Sequence, residues 1–108
     1  MQLSQYLINE KKEYVLSRQI LKSGTSIGAN IEEALGGQSE KDFIAKLAIS
    51  YKEARETDYW LRILKDTHYI SSSKFSTLSK DLLELLKMLG SIKITYKKKL
   101  RNLQIRNS

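Results

Sequence analysis

Cysteine and proline are both absent from the sequence, and glycine occurs only five times. Without cysteine there is neither a disulfide framework nor a thiolate metal site, so packing alone must stabilise the chain, and nothing points to an oxidising compartment. Without proline and with little glycine, turns are scarce, while Leu, Ile, Lys and Glu are plentiful. That balance favours long uninterrupted helices over a turn-rich β fold. No stretch approaches the ~18 apolar residues that a membrane span requires, and the start Met1-Gln2-Leu3-Ser4-Gln5 lacks a basic segment ahead of an apolar run. A soluble, cytoplasmic chain is the expectation. Histidine is equally scarce: His68 stands alone, and Lys65 sits three before it, where the Glu-x-x-His motif of di-iron helical bundles needs a glutamate. Intrachain imidazoles and thiolates therefore cannot assemble a metal site, and His68 is expected at a helix end, where the dipole favours it. Gly36-Gly37 has no Gly-x-x-x-x-Gly-Lys phosphate loop around it and reads as a turn. Neither a catalytic centre nor a cofactor is expected.

What is present is a single domain's worth of chain, 108 residues, enough to bury roughly 60 to 70% of the surface its unfolded form exposes. The net charge of +7 is unevenly placed: residues 1–92 hold thirteen Lys and Arg against twelve Asp and Glu. Residues 93–108 hold Lys93, Lys97, Lys98, Lys99, Arg101 and Arg106 and no acid. The organisation is thus a near-neutral bundle domain over 1–92 followed by a basic C-terminal helix end and tail over 93–108. That asymmetry is the main functional clue in the composition.

Hydrophobic spacing supplies the elements. Phe75, Leu78, Leu82, Leu85, Leu89, Ile92 and Tyr96 recur at alternating three- and four-residue intervals, a helix seam. Leu83, Leu86 and Leu100 flank it and suit packing against two or more neighbours. One of Ser71, Ser72 and Ser73 caps its start, and nothing stops it before the chain end. A second seam, Phe43, Leu47, Ser50, Ala54, Thr57, Leu61, Leu64 and His68, runs from about Glu40 to Tyr69. Ser39-Glu40-Lys41-Asp42 resembles a capping box at its head. Between Lys12 and Leu35, Leu16, Ile20, Ile27 and Ala34 fit a helix, although Gly24 to Ile31 also alternates like a strand. Helix is preferred because Gly24 and Gly28 then fall four apart on one face, where missing side chains permit a neighbour's backbone to approach.

At this point the residues resemble a family. The segment Glu13 to Ala34, with its core Ser26-Ile27-Gly28-Ala29-Asn30-Ile31-x-Glu33, is similar to the most recognisable stretch of the four helix bundle proteins associated with intervening sequences in bacterial 23S ribosomal RNA genes. A second block, Asp42-Phe43-Ile44-x-Lys46-Leu47 through Lys52-Glu53, Glu56 and Tyr59-Trp60-Leu61, matches in spacing and type. The resemblance covers about residues 5 to 92. It implies an all-α, antiparallel up-down bundle, assembly as a homopentamer, and a binding module comparable to the accessory variability protein of diversity-generating retroelements, which is a basic barrel that binds nucleic acid and a reverse transcriptase. Only about Gln2 to Asn9 precedes the second helix, with Leu3, Tyr6 and Leu7 as its apolar residues. Three long helices and a stub are therefore expected: either the start is truncated, or the groove left open is filled by another subunit or a partner.

The residues set apart for function follow from these readings. Lys93, Lys97, Lys98, Lys99, Arg101 and Arg106 are the candidate nucleic-acid contacts, because like charges spaced along several turns repel one another and phosphates would neutralise them. A merely solvated tail is the bland alternative. Arg18, Gly24, Ser26, Gly28, Asn30, Glu33 and Glu53 form a candidate structural motif, with Arg18, Asn30, Glu33 and Glu53 expected to pair between the second and third helices. Glu53 and Glu56 also lie three apart on one face, as paired acid/base carboxylates do, but no substrate pocket accompanies them. Tyr14, Tyr51, Tyr59 and Trp60 are spread over two helices and are expected in the core or a subunit interface; Tyr59 and Trp60 cannot share a face, so at least one of them is expected to reach the surface or a neighbouring chain. The leading expectation is a non-enzymatic homo-oligomer that binds RNA or DNA through its phosphates. The rival is a protein-interaction scaffold. A membrane-surface helix over Lys93 to Arg106 is disfavoured by the small apolar area of Leu100, Leu103 and Ile105.

Overall fold

The structure is a computed structural model that describes residues 2–37 and 39–106; Met1, Asn107 and Ser108, at the outer ends of the two expected segments, lie outside the described residues. Four helices follow in order, α1 (Gln2–Asn9), α2 (Val15–Leu35), α3 (Glu40–Asp66) and α4 (Ser72–Arg106), and no strand occurs among the described residues. The stretch Gly24 to Ile31 is helical throughout. The expected architecture of three long helices and a stub is what forms.

Each boundary has a local chemical cause. Ser39 sits in extended conformation and its hydroxyl accepts from the Asp42 N–H at 3.0 Å, which starts α3. Ser71 does the same for α4, accepting from the Lys74 N–H at 3.0 Å. The head of α2 is capped differently. No side chain of Tyr14 serves it; instead the Glu13 carboxylate accepts from the N–H groups of Val15, Leu16 and Ser17 at 2.8 to 3.1 Å, placing negative charge at the positive end of the helix dipole. At the end of α3 the His68 N–H donates to the Lys65 carbonyl at 3.0 Å and the Tyr69 N–H to the Leu64 carbonyl at 2.9 Å, the paired bonds of a Schellman stop. His68 takes the left-handed position of that motif, with φ of 66°. At Gly37, a Cβ would stand 2.6 Å from Asp42 Oδ2 and 3.2 Å from the Ala34 carbonyl oxygen, so a side chain there requires the Asp42 carboxylate to swing aside and the end of α2 to give slightly.

α3 is the central element: α2 packs along one side of it and α4 along the other, while α1 packs on α2. Leu7, Ile20, Ala54 and Leu64 are fully enclosed, each larger side chain contributing roughly 1.5–3 kcal/mol by leaving water. A second cluster of Ala34, Leu47 and Leu89 lies towards the α2–α3 turn. The seams of α3 and α4 are the faces that are buried, and Leu83 and Leu100 on their flank remain exposed. Because α1 is only eight residues long, it closes the bundle at one end alone. An apolar cleft of about 420 Å³, lined by Leu3, Ile20, Leu61, Leu78, Leu82 and Leu85, opens beside it.

The buried polar links between helices are made by hydroxyls. Ser50 Oγ of α3 donates to the Ile27 carbonyl of α2 at 2.9 Å, the Thr57 and Ser23 hydroxyls lie 2.9 Å apart, and Ser17 Oγ donates to the Ser4 carbonyl of α1 at 3.2 Å. Ser4, Ser17, Ser23, Ser50 and Thr57 are all buried. This corrects the expected charge network. Arg18 is exposed, and neither it nor the half-buried Glu53 forms an ion pair among the described residues. Asn30 Nδ2 turns back to the Ser26 carbonyl of its own helix at 2.8 Å, as Ser26 Oγ does to the Lys22 carbonyl. Only Glu33 reaches α3, and its partner is Lys46, at 2.9 Å. A charge pair buried between helices must overcome desolvation, whereas a small hydroxyl bonds a carbonyl with little loss of packing.

Candidate nucleic-acid interface

From Leu85 to Arg106, α4 carries seven lysines and arginines and no acid. It stays helical through this stretch, so the cations are arrayed at 1.5 Å of rise per residue rather than carried on an irregular tail. The end of α4 is fastened to the head of α3: Lys99 Nζ lies 2.7 Å from Glu40 Oε1. That hydrogen bond first, and the Glu40 charge second, hold the Lys99 ammonium above its ordinary value. Glu40 lies in the first turn of α3 and so serves both the dipole and the lysine.

The six predicted contacts therefore divide. Lys99 is engaged. Lys93 leans towards α3, its ammonium 6.0 Å from the centre of the Tyr51 ring. Lys97, Lys98, Arg101 and Arg106 are exposed and form no ion pair among the described residues. Lys93, Lys97 and Arg101, spaced by four, stay on one side of the helix, and Lys98 and Arg106 project elsewhere.

Gly24 is half-buried, but Gly28 is exposed and a Cβ added there would meet nothing within 4 Å. The expected close approach at Gly28 does not occur within one chain. With Tyr14, Leu21 and Leu35 it lies instead on the outer side of α2, where these residues recur at seven-residue intervals and are 52%, 37% and 71% exposed.

Two things escaped the sequence reading. One is the Glu13 cap, whose signal is only an acid just before a helix. The other is the placing of the aromatics. Tyr59 is 49% exposed and meets Trp60 edge-on at 5.1 Å, while Trp60 packs on the core and donates from Nε1 to Glu56 at 3.3 Å. One of the two reaches the surface, as their adjacency requires. Cations stand beside two of the tyrosines: Arg62 lies 5.9 Å over the Tyr59 ring, and Lys93 comes within 6.0 Å of the Tyr51 ring from another helix.

Against known proteins, the sequence profile of the 23S rRNA-intervening sequence protein family matches residues 1–91. A solved protein of unknown function from Bacteroides thetaiotaomicron, described as of the S23 ribosomal protein family, is 52% identical. The match covers 85% of each chain and superposes with a TM-score of 0.84. No curated protein matches the chain.

Proposed function

The chain belongs to the 23S rRNA-intervening sequence protein family, and from that premise we propose that it is a non-catalytic, self-associating bundle that binds RNA or DNA through phosphate contacts. The observation that carries this reading is the acid-free half of α4, on which Lys97, Lys98, Arg101 and Arg106 stand exposed and unpaired. A phosphate backbone releases its counterions to such an array and needs no base-specific geometry. Self-association would multiply the contacts through effective concentration, and the outer side of α2 offers it a surface. Homopentamers of the kind the resemblance implies would bring five such helix ends together.

The test is a titration of labelled RNA over a range of salt. Four phosphate contacts imply a log-log slope of about −4 on a duplex, and Lys97/Lys98/Arg101→Ala should reduce that slope by about three. Absent or salt-insensitive binding overturns the reading. A second reading, a scaffold that receives an apolar partner segment, is favoured by the cleft lined by Leu3, Ile20, Leu78 and Leu82; it predicts a protein complex that survives high salt.

A further inference from the structure

Beside the α3–α4 contact runs a groove of about 780 Å³ that the charge of the C-terminal segment does not account for. Its walls include Tyr51, Lys52, Arg55, Tyr59, Arg62 and Lys93, and Leu83 and Leu86 line it from α4. Two acids share it: Asp58 is balanced by Arg62 at 3.3 Å and accepts from Ser79, and Glu56 accepts from the neutral Trp60 indole and keeps its charge, which the three cations Lys52, Arg55 and Lys93 outnumber. Lys52, Arg55 and Lys93 have no ion pair among the described residues. Lys52, Arg55, Tyr59 and Arg62 follow one another at three- and four-residue spacing, so they form a row about 15 Å long in which an exposed ring stands between cations. Lys93 completes the row from the other helix, and its four-residue spacing to Lys97 and Arg101 carries the positive track onwards to the end of α4.

A cationic groove with an exposed ring between its charges is the arrangement that holds unpaired nucleotides, phosphates on the cations and a base on the aromatic face. A duplex cannot use the ring, because its bases are stacked on one another, and a run of Asp and Glu side chains supplies charge but no planar ring for Tyr59. We propose that this groove binds single-stranded nucleic acid, with Arg55, Lys52 and Lys93 holding successive phosphates and Tyr59 stacking on a base. The proposal deepens the phosphate-binding reading above and rests on it, but assigns a different surface and a narrower ligand.

Trp60 is the single tryptophan of the chain and touches Tyr59, so its emission reports on the groove and not on the far end of α4. The experiment titrates the full chain with a uridine oligonucleotide of about twelve nucleotides and with a blunt RNA duplex, following both Trp60 emission and a label on the nucleic acid. The single strand should quench Trp60 to saturation and the duplex should leave it unchanged. Tyr59→Ala should weaken single-strand binding about tenfold, as loss of one stacked base does, while Tyr59→Phe keeps it; circular dichroism verifies that both variants are folded. Lys97/Lys98/Arg101→Ala should weaken binding but still reach the full quench. If labelled strand binds with Trp60 and Tyr59→Ala both indifferent, the groove assignment is wrong and the phosphate-binding reading stands. If no nucleic acid binds, both fall. Equal quenching by polyglutamate overturns the groove's assignment to nucleic acid.

Discussion

Glu13 and His68 are the two residues whose local roles are sharpest. Three N–H groups share the Glu13 carboxylate at the start of α2, so Glu13→Ala should lower stability by about 1 kcal/mol, in the range of a lost helix cap; the shift of the urea midpoint measures it. His68 works against its own backbone, since φ of 66° suits glycine far better than a residue with a Cβ. His68→Gly should therefore raise the melting temperature, by an amount equivalent to about 0.5–1 kcal/mol; a decrease would mean that the imidazole has a partner that compensates the strain. The helix-end position of His68 was legible from the seam it terminates. Its left-handed backbone was not, because histidine carries no signal for that conformation comparable to glycine's. Glu53, which the sequence placed in an interhelical charge network, stands half-buried without an ion pair. Glu53→Ala should consequently change stability by no more than about 0.5 kcal/mol.

At the scale of the element, the seams of α3 and α4 could be read directly, since three- and four-residue spacing of large apolar side chains has few other meanings. The contents of the α2–α3 contact were harder. Serine and threonine at seam positions look like interruptions, yet Ser23, Ser50 and Thr57 are where the two helices meet through hydroxyls. A Ser23→Ala, Thr57→Val double-mutant cycle should yield a coupling energy of about 0.5–1.5 kcal/mol, as a buried hydrogen bond does; zero coupling would show that the two hydroxyls are satisfied separately. The last turns of α4 depend on the Glu40 contact in a pH-dependent way. Because the Lys99 value is raised on folding, that contact's contribution is whole below the ordinary lysine value of 10.5 and is lost as pH rises through the higher folded value. Amide exchange over 99–106, compared between wild type and Glu40→Gln at neutral pH, should show the variant exchanging faster.

For the whole molecule, the all-α class, the order of helices and the shortened first helix were all visible in composition and spacing, and the family relationship in two separated blocks of sequence. The groove was not visible, because its cations and rings belong to two helices and come together only when α3 and α4 pack. The same limit applied to Gly28, whose meaning depends on which side of α2 faces out. That position gives a direct test of self-association. A Cβ there has open space within one chain, so Gly28→Arg should leave the monomer folded and, by removing a helical glycine, slightly more stable. If copies meet across this surface, light scattering should show the particle mass falling to 12.5 kDa; an assembly that survives Gly28→Arg uses another face.

The eight-residue α1 has one further consequence. A helix so short does not persist by itself in water; it is held by Leu3 and Leu7 and by the bond from Ser17 to the Ser4 carbonyl. Its detachment uncovers Ile20 and the cleft without undoing α2, α3 or α4, so the least expensive excursion of the native state is a hinged flap at this end. Native-state deuterium uptake should accordingly begin at residues 2–9 and reach the middle of α3 last.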